Sequence, residues 1–205
     1  MPNIIIQPIQ PEDLSEALDV FGKAFATLSS SIAIYKGRTQ SGVERGMQIM
    51  FSVPIKYLPG QVFVAKHDRR VVGAMRIVEW PDCQMKPLQM LRALPTLMKA
   101  VRLGEMRRAM KMYGTWAKKD PKKPHWHLGP IAVTPALQGQ GIGSQMMEYY
   151  CNHVDKLGMA AYHETDSRPD NVKFYERFGF QAIGEETIMD FPVWYLWRPS
   201  RQDTP

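Results

Sequence analysis

The sequence predicts one α/β or α+β domain in which helices cover a mixed sheet. Short segments rich in β-branched and aromatic residues alternate with segments whose apolar residues recur every three or four positions, as in strands alternating with amphipathic helices. The 205 residues suffice for one domain, and 44% hydrophobic with 22% charged residues is ordinary for a folded chain. Two cysteines are too few for a disulfide framework, and neither a signal peptide nor a membrane-spanning apolar run is expected.

The first part of the chain predicts a strand, a helix and a hairpin. The isoleucines at positions 4–6 indicate a short strand that the following prolines end. Apolar residues at helical spacing predict a helix over residues 12–28. Residues 29–59 are ambiguous because three consecutive serines interrupt the pattern, although residues 43–51 fit a second helix. Residues 61–80 predict two strands joined by a tight two-residue turn.

Segment 83–124 is the most basic part of the chain. It carries eleven Lys or Arg against two acidic residues, a net charge of +9 in a chain whose total is +6. Its apolar residues have helical spacing, and we expect Pro95 and Gly104 to divide it into separate helices. Three interpretations stay open: a solvated helical face, a cap over an acceptor pocket, or a contact with nucleic acid or a membrane surface. No nucleic-acid-binding motif accompanies it, so no nucleic-acid partner is expected.

The second half alternates strands and helices more clearly. The predicted elements are a strand over 126–133, a helix over 144–157, a strand over 159–165, a helix over 170–178 and strands over 180–183 and 193–197. Gly158 and Gly179 are placed to end the two helices. We therefore expect a single domain over residues 1–198, with the basic insertion inside it and residues 199–205 as a tail.

A stretch without charged side chains follows the basic segment. Between Pro124 and Met147 there is no Asp, Glu, Lys or Arg, and within this stretch a strand leads through a glycine-rich turn into a helix. Glycines permit positive φ angles, and the N–H groups at a helix N-terminus bind anions without a charged side chain. Two nucleotide motifs are excluded, because Ser144 stands where a dinucleotide fingerprint starting at Gly139 needs glycine, and no lysine follows the glycines.

Two blocks of sequence resemble one enzyme family. Gln138, Gly141 and Gly143, which follow the strand that ends LGPIAV, are similar to the pyrophosphate-binding loop of the GNAT family of N-acetyltransferases. Residues 164–180, which include NVKFYERFGF, are similar to the late strand and helix of that family, and puromycin-type small-molecule acetyltransferases are its nearest variety. The resemblance implies a mostly antiparallel mixed sheet with a splayed pair of parallel strands, flanked by helices. It also implies acetyl-CoA as the acyl donor.

The same resemblance implies which residues bind acetyl-CoA. Backbone groups of the strand would accompany the pantetheine arm, the turn would surround the pyrophosphate, and a late Asn and Tyr would contact the cofactor. The residues so implied are Ile131, Ala132, Val133, Gln138, Gly139, Gln140, Gly141, Ile142, Gly143, Ser144, Asn171 and Tyr175. Strand edges offer unpaired N–H and C=O groups, so this mode of binding is physically reasonable.

The implied reaction is the attack of a neutral amine on a thioester carbonyl. It needs stabilisation of the oxyanion and a proton for the departing thiolate. We expect the Val133 N–H to polarise the carbonyl and the Tyr175 hydroxyl to protonate the sulfur. His127 and Glu164 are the first candidates for the catalytic base and Glu79 a further one, with chains of water as the alternative.

A metal site is a further possibility. His125, His127, His153, His163 and Cys151 could supply ligands, but their spacing fits no known ligand pattern. We therefore expect structural or surface roles for these residues and no bound metal.

The expected function is acetyl-CoA-dependent N-acetylation of the amine of a small molecule. Two alternatives stay open: a catalytically idle acyl-CoA-binding module that docks a partner through its basic helices, and a protein N-acetyltransferase. The expected location is the cytoplasm without a membrane span, and the expected state is a monomer or a homodimer. No motif identifies the acceptor.

Overall fold

A seven-stranded sheet positions the other elements. The computed structural model describes residues 3–166 and 169–202. The strands are β1 (Ile5–Pro8), β2 (Gln61–His67), β3 (Arg70–Glu79), β4 (Trp126–Val133), β5 (Ala161–Thr165), β6 (Gln181–Ile188) and β7 (Phe191–Arg198). They lie in the order β1-β2-β3-β4-β5-β7-β6, and all neighbours are antiparallel except β4 and β5. The predicted mixed sheet with one parallel pair is confirmed.

Helices cover both faces of the sheet. They are α1 (Leu14–Phe25), α2 (Ser29–Ile34), α3 (Gln40–Tyr57), α4 (Pro87–Ala100), α5 (Leu103–Lys119), α6 (Ile142–Lys156) and α7 (Pro169–Glu176). Strand side chains alternate between faces, so Ala74 packs in the core with α1 to α5 while its neighbour Met75 packs in the core with α6 and α7. None of the helices in the described part of the chain is long and apolar enough to cross a membrane.

The basic insertion folds into two helices whose break differs from the prediction. Neither Pro95 nor Gly104 ends a helix, since α4 runs through the proline and α5 runs through the glycine. The chain instead leaves helical geometry at Val101 and Arg102, where both residues are extended. Proline has no backbone N–H, so Pro95 leaves the Leu91 carbonyl without its helical partner. Both residues are exposed, so water can bond that carbonyl.

The ambiguous residues 29–59 are mostly helical. The serines begin α2 rather than interrupt a helix, because the Ser30 N–H donates to the Asp166 carboxylate at 2.9 Å. Helix α3 is longer than the predicted 43–51 and is capped by Thr39, whose hydroxyl accepts from the Gly42 N–H. The Asp166 carboxylate, far along the chain, therefore allows a helix to begin at serines that by themselves predict a break.

The hairpin and the second half follow the predictions closely. Asp68 and Arg69 have φ angles of 49° and 67°, the left-handed pair that a two-residue hairpin turn requires. Helix α6 begins at Ile142, two residues before the predicted start, and Gly158 ends it with a φ of 64°. Strand β6 extends to Ile188, well beyond the predicted residue 183. The local sequence thus predicted the presence and order of these elements well and their first and last residues less well.

Candidate active site

The parallel strands β4 and β5 separate near their middle. They pair only through Trp126 with Ala161, His127 with Tyr162 and Leu128 with His163. Beyond that point β4 continues to Val133 while remaining paired with β3 on its other side. On the edge that faces β5, residues 129–133 therefore carry backbone groups that β5 does not pair, and we call the space between this edge and residues 164–165 the strand gap.

A bulge in β4 accounts for the separation. The register with β3 shifts between Met75 and Ile77, so two β4 residues, Gly129 and Pro130, stand opposite the single residue Arg76. An extra residue on one strand bends that strand and increases its twist. The bend turns β4 away from β5 immediately after their last paired position.

Backbone direction places the Val133 amide on the strand gap. The Thr134 N–H donates to the Val72 carbonyl on β3 at 2.8 Å. Because N–H groups alternate along a strand, the N–H of Val133 points to the opposite edge. The Val133 carbonyl points the same way and accepts from the Gln138 side-chain amide at 3.0 Å. Gln138 therefore fastens the turn to the end of β4.

The glycine-rich turn stands at the mouth of the gap. Gly139 and Gly141 have φ angles of 78° and 83°, which explains why glycine is required at both positions. A Cβ at either position would meet no atom within 4 Å, so this side of the turn is open. The first N–H groups of α6, which have no acceptor within the helix, emerge here and make an anion site. A Cβ at Gly143 would lie 3.7 Å from Phe174, which shows that α7 adjoins the turn.

Tyr175 lies where the two strands part. It is 7% exposed, and its ring centroid is 4.5 Å from that of His163, the last β5 residue paired with β4. Burial, and secondarily the Asp166 carboxylate, raise the pKa of the Tyr175 phenol above its ordinary value. The phenol therefore stays protonated at neutral pH and can donate a proton. Asn171 is half-buried on the same helix.

His127 and Glu164 form a pair on the other face of the sheet. The His127 Nε2 lies 2.8 Å from a Glu164 oxygen, and their side chains are 17% and 6% exposed. Burial would lower the pKa of His127, but the Glu164 carboxylate, and secondarily that of Asp120, together outweigh burial and the pKa is raised. Glu164 follows His163 directly, and alternation turns it away from Tyr175 toward the face that α1 to α5 cover. The strand gap is thus approached by Tyr175 from one face and Glu164 from the other.

Comparison with known proteins identifies the family. The profile described as "Acetyltransferase (GNAT) family" matches residues 32–180, most of the chain. The chain belongs to the GNAT family. It is therefore an acyltransferase, and acetyl-CoA is the acyl donor of this family.

Solved GNAT structures have the same fold. A structure from Corynebacterium glutamicum, described as histone acetyltransferase HPA2 and related acetyltransferase, superposes with a TM-score of 0.70 at 22% identity and covers 100% of both chains. A Brucella melitensis GNAT acetyltransferase in complex with acetyl-CoA has a TM-score of 0.54 at 18% identity, covering 100% of this chain and 93% of that one. The polyamine N-acetyltransferase of Drosophila melanogaster has a TM-score of 0.64 at 12% identity, covering 95% and 98%.

The histidines considered as metal ligands are only partly brought together. Cys151 and His153 lie on α6, and the His163 Nδ1 bonds to the Leu128 carbonyl. His125 and His127 do lie together, and they are joined by two residues that sequence reasoning missed, Cys83 and Asp120. The available signal was that these two residues stand at the ends of the basic segment.

The basic insertion covers the Glu164 face of this GNAT domain. Arg38, between α2 and α3, bonds the Glu105 carboxylate on α5 through two nitrogens, and Arg108 of α5 donates to the Ile34 carbonyl at 2.8 Å. The hydroxyls of Tyr35 and Tyr162 are buried on this face without a hydrogen-bond partner among the described residues. The face is therefore enclosed and partly polar.

Proposed function

We propose that this GNAT protein transfers the acetyl group of acetyl-CoA to the amine of a small molecule by direct attack on the thioester. The observation that supports it best is the strand gap, with a protonated phenol on one side and a buried carboxylate on the other. Bound acetyl-CoA would supply an activated acyl carbon. The neutral amine would arrive from the opposite face of the sheet.

The open backbone groups and the open turn fit acetyl-CoA. The edge of β4 would hold the pantetheine arm as an added strand partner, and the turn would hold the pyrophosphate through N–H groups. The proposed contacts are Ile131, Ala132, Val133, Gln138, Gly139, Gln140, Gly141, Ile142, Gly143, Ser144 and Asn171. The Val133 N–H would stabilise the oxyanion, because it points into the gap.

Tyr175 and Glu164 would each carry out one of the two proton transfers, to the departing sulfur and from the attacking amine. The Tyr175 phenol would protonate the departing sulfur, since its raised pKa keeps the proton available at neutral pH. The Glu164 carboxylate would accept the proton that the amine loses. His127 would hold Glu164 in place through its Nε2–H, which makes it a positioning residue.

We expect His127→Gln to lower kcat and to leave the KM for acetyl-CoA unchanged.

The enclosed acceptor face favours a small polar amine over a protein lysine. Helix α5 is fastened over this face by Arg38 and Arg108, and buried hydroxyls line it. Glu164 and Asp166 would attract a cationic amine before it loses its proton. The fold shared with a polyamine N-acetyltransferase is consistent with this substrate class.

The test is thiol release from acetyl-CoA with an aliphatic diamine, an arylalkylamine and a lysine-containing peptide. We expect release with a small amine, and a loss in Glu164→Gln of roughly 100-fold in kcat. Glu185→Gln, on exposed β6, is the matched control and should be unchanged. Binding of acetyl-CoA without release for any amine would indicate an idle binding module. Release with the peptide alone would indicate a protein acetyltransferase.

A further inference from the structure

Four potential ligand side chains meet where the basic insertion joins the sheet. Cys83 follows β3, Asp120 directly follows α5, and His125 and His127 lie at the start of β4. One atom from each lies within 4.8 Å of the others. From the Asp120 carboxylate, the Cys83 sulfur is 3.1 Å away, the His125 Nε2 is 3.2 Å and the His127 Nδ1 is 4.0 Å.

Hydrogen bonds on the outer nitrogens fix how the two rings face this cluster. The His125 Nδ1 lies 2.8 Å from the Lys123 carbonyl, which can only accept, so this nitrogen carries a proton. The His127 Nε2 donates in the same way to Glu164 at 2.8 Å. In neutral rings the inner nitrogens, Nε2 of His125 and Nδ1 of His127, are then lone pairs aimed at Asp120.

When both rings are neutral, the inner atoms face no donor among the described residues. The Asp120 Oδ1, the His125 Nε2 and the His127 Nδ1 are all buried without a hydrogen-bond partner among the described residues. The side chains of His125 and Asp120 are 0% and 3% exposed, so water does not reach them from bulk solvent. Unpartnered acceptors that face each other in a buried site are destabilising, and either a proton between His125 and Asp120 or a metal ion among all four side chains removes the conflict.

We propose that Cys83, Asp120, His125 and His127 bind one divalent transition metal ion, with zinc as the ion that this donor set fits. One sulfur, two imidazole nitrogens and one carboxylate oxygen are each donors that zinc accepts, and four of them fill a tetrahedral coordination shell. Ligand atoms at about 2.0–2.3 Å from a tetrahedral zinc lie roughly 3.3–3.8 Å apart, so these atoms, which lie within 4.8 Å of one another, would have to move slightly closer together around the ion. On binding, the Cys83 thiol loses its proton to solvent and the sulfur binds as thiolate.

The surroundings of the cluster match this role. Histidine ligands usually donate their second N–H to a carbonyl or a carboxylate, and His125 and His127 do so to Lys123 and Glu164. The charges also balance. The thiolate, Asp120 and Glu164 together offset the dication and the buried guanidinium of Arg76, which lies within electrostatic range of both Cys83 and His127.

Such an ion would be structural, because four protein ligands leave no open position. It would clamp both ends of the basic insertion to β4. Through His127 it would also fix the ring that holds Glu164. The inference depends on the cluster alone and holds whether or not the proposed reaction does.

Metal analysis of the untagged protein, purified without chelators, tests the proposal. We expect about one zinc ion per chain, and a thiolate-to-metal charge-transfer band after exchange for Co²⁺. Cys83→Ser should lose most of the ion and the band. Cys151→Ser, which removes the other cysteine from α6, is the matched control and should keep both. A chelator should lower the melting temperature of the control and not that of Cys83→Ser.

Two results would overturn the proposal. The first is a folded, metal-free protein that takes up no zinc in competition with a chromophoric chelator, which would make the cluster a protonated histidine paired with Asp120. The second is equal zinc content in Cys83→Ser and Cys151→Ser. If Cys83→Ser does not fold, Asp120→Asn and the Co²⁺ spectrum of the unmodified protein decide the question by the same criteria.

Discussion

At the scale of single residues, the environment of each titratable group determines what it can do. Burial raises the pKa of Tyr175 and so keeps its proton, whereas burial lowers the pKa of His163 to about 4 and so keeps its ring neutral. The two rings are in contact, with centroids 4.5 Å apart. A neutral imidazole beside the phenol adds no positive charge, and therefore does not favour the loss of the phenolic proton.

Replacing Tyr175 by Phe should lower kcat by roughly 100-fold, because the thiolate then leaves without a proton donor. With an acetyl thioester whose thiol is more acidic, the loss should shrink, since such a thiolate leaves without help. Tyr149→Phe is the control, because Tyr149 lies on α6 and packs against Phe63. Steady-state thiol release measures all three proteins, and an equal loss with both donors would contradict the role of Tyr175.

His163 should make the protein less stable in mild acid. Its pKa of about 4 lies below the ordinary 6.5, so the unfolded chain binds a proton that the native state does not. Its contribution to the free energy of unfolding is therefore complete above pH 6.5 and decreases as the pH falls toward 4. The decrease should be on the order of 2 kcal/mol at about pH 4.5.

His163→Asn isolates this effect, because an amide does not titrate and can still donate to the Leu128 carbonyl. Urea unfolding at about pH 7 and about pH 4.5 should give a smaller difference in the variant than in the unmodified protein. Equal differences in the two proteins would show that His163 does not carry the effect.

At the scale of elements, local chemistry predicted those features whose cause is local. The hairpin turn at Asp68 and Arg69 and the glycine-rich turn before α6 depend on backbone conformation within a few residues. The start of α2 depends on Asp166, and the cluster at Cys83 depends on Asp120, so neither is visible in a short window of sequence. Most of the fold and the glycine-rich turn were therefore predictable, whereas the cluster at Cys83 was not.

Two glycines offer a matched test of whether the glycine-rich turn before α6 binds acetyl-CoA. A Cβ meets nothing within 4 Å at Gly141 or at Gly114, but Gly141 has a φ of 83° while Gly114 lies inside α5. Gly141→Ala should cost about 1–2 kcal/mol of stability and raise the KM for acetyl-CoA. Gly114→Ala should stabilise by about 0.5–1 kcal/mol and leave the KM unchanged. Thermal melts with steady-state kinetics measure both, and an unchanged KM in Gly141→Ala would exclude the turn from acetyl-CoA binding.

At the scale of the whole molecule, the insertion belongs to the fold as an integral part. Its net positive charge precedes, in the sequence, the uncharged stretch that holds the glycine-rich turn, and it is anchored by buried contacts to the first helices. The Arg38 and Glu105 side chains are only 16% and 5% exposed, and the Glu105 carboxylate also accepts from the Arg102 N–H. This ion pair therefore couples the stability of the insertion to that of the domain.

Glu105→Gln should lower the free energy of unfolding by about 2–4 kcal/mol, since it leaves the Arg38 charge buried and unpaired. Burial would raise the pKa of Glu105, but Arg38 lowers it overall, so its contribution is present above pH 4.5 and is lost as the pH falls below that value. Lys23→Met removes the exposed pair with Asp19 and should cost under about 0.5 kcal/mol. Urea titration compares the two, and equal losses would show that the Arg38 pair does not anchor the insertion.

Because β4 separates from β5, the folded protein leaves one row of hydrogen bonds in its sheet unformed. An acyl donor that completes the missing row of hydrogen bonds acts as a temporary strand, and its binding is linked to folding. A donor at about 100 times its dissociation constant adds about 2.7 kcal/mol to the free energy of unfolding. The amides of Ile131 and Val133 would then exchange with solvent deuterium more slowly, while that of Thr134, already bonded to β3, would change little. Binding of the acyl donor would therefore slow hydrogen exchange at every second amide along this part of β4.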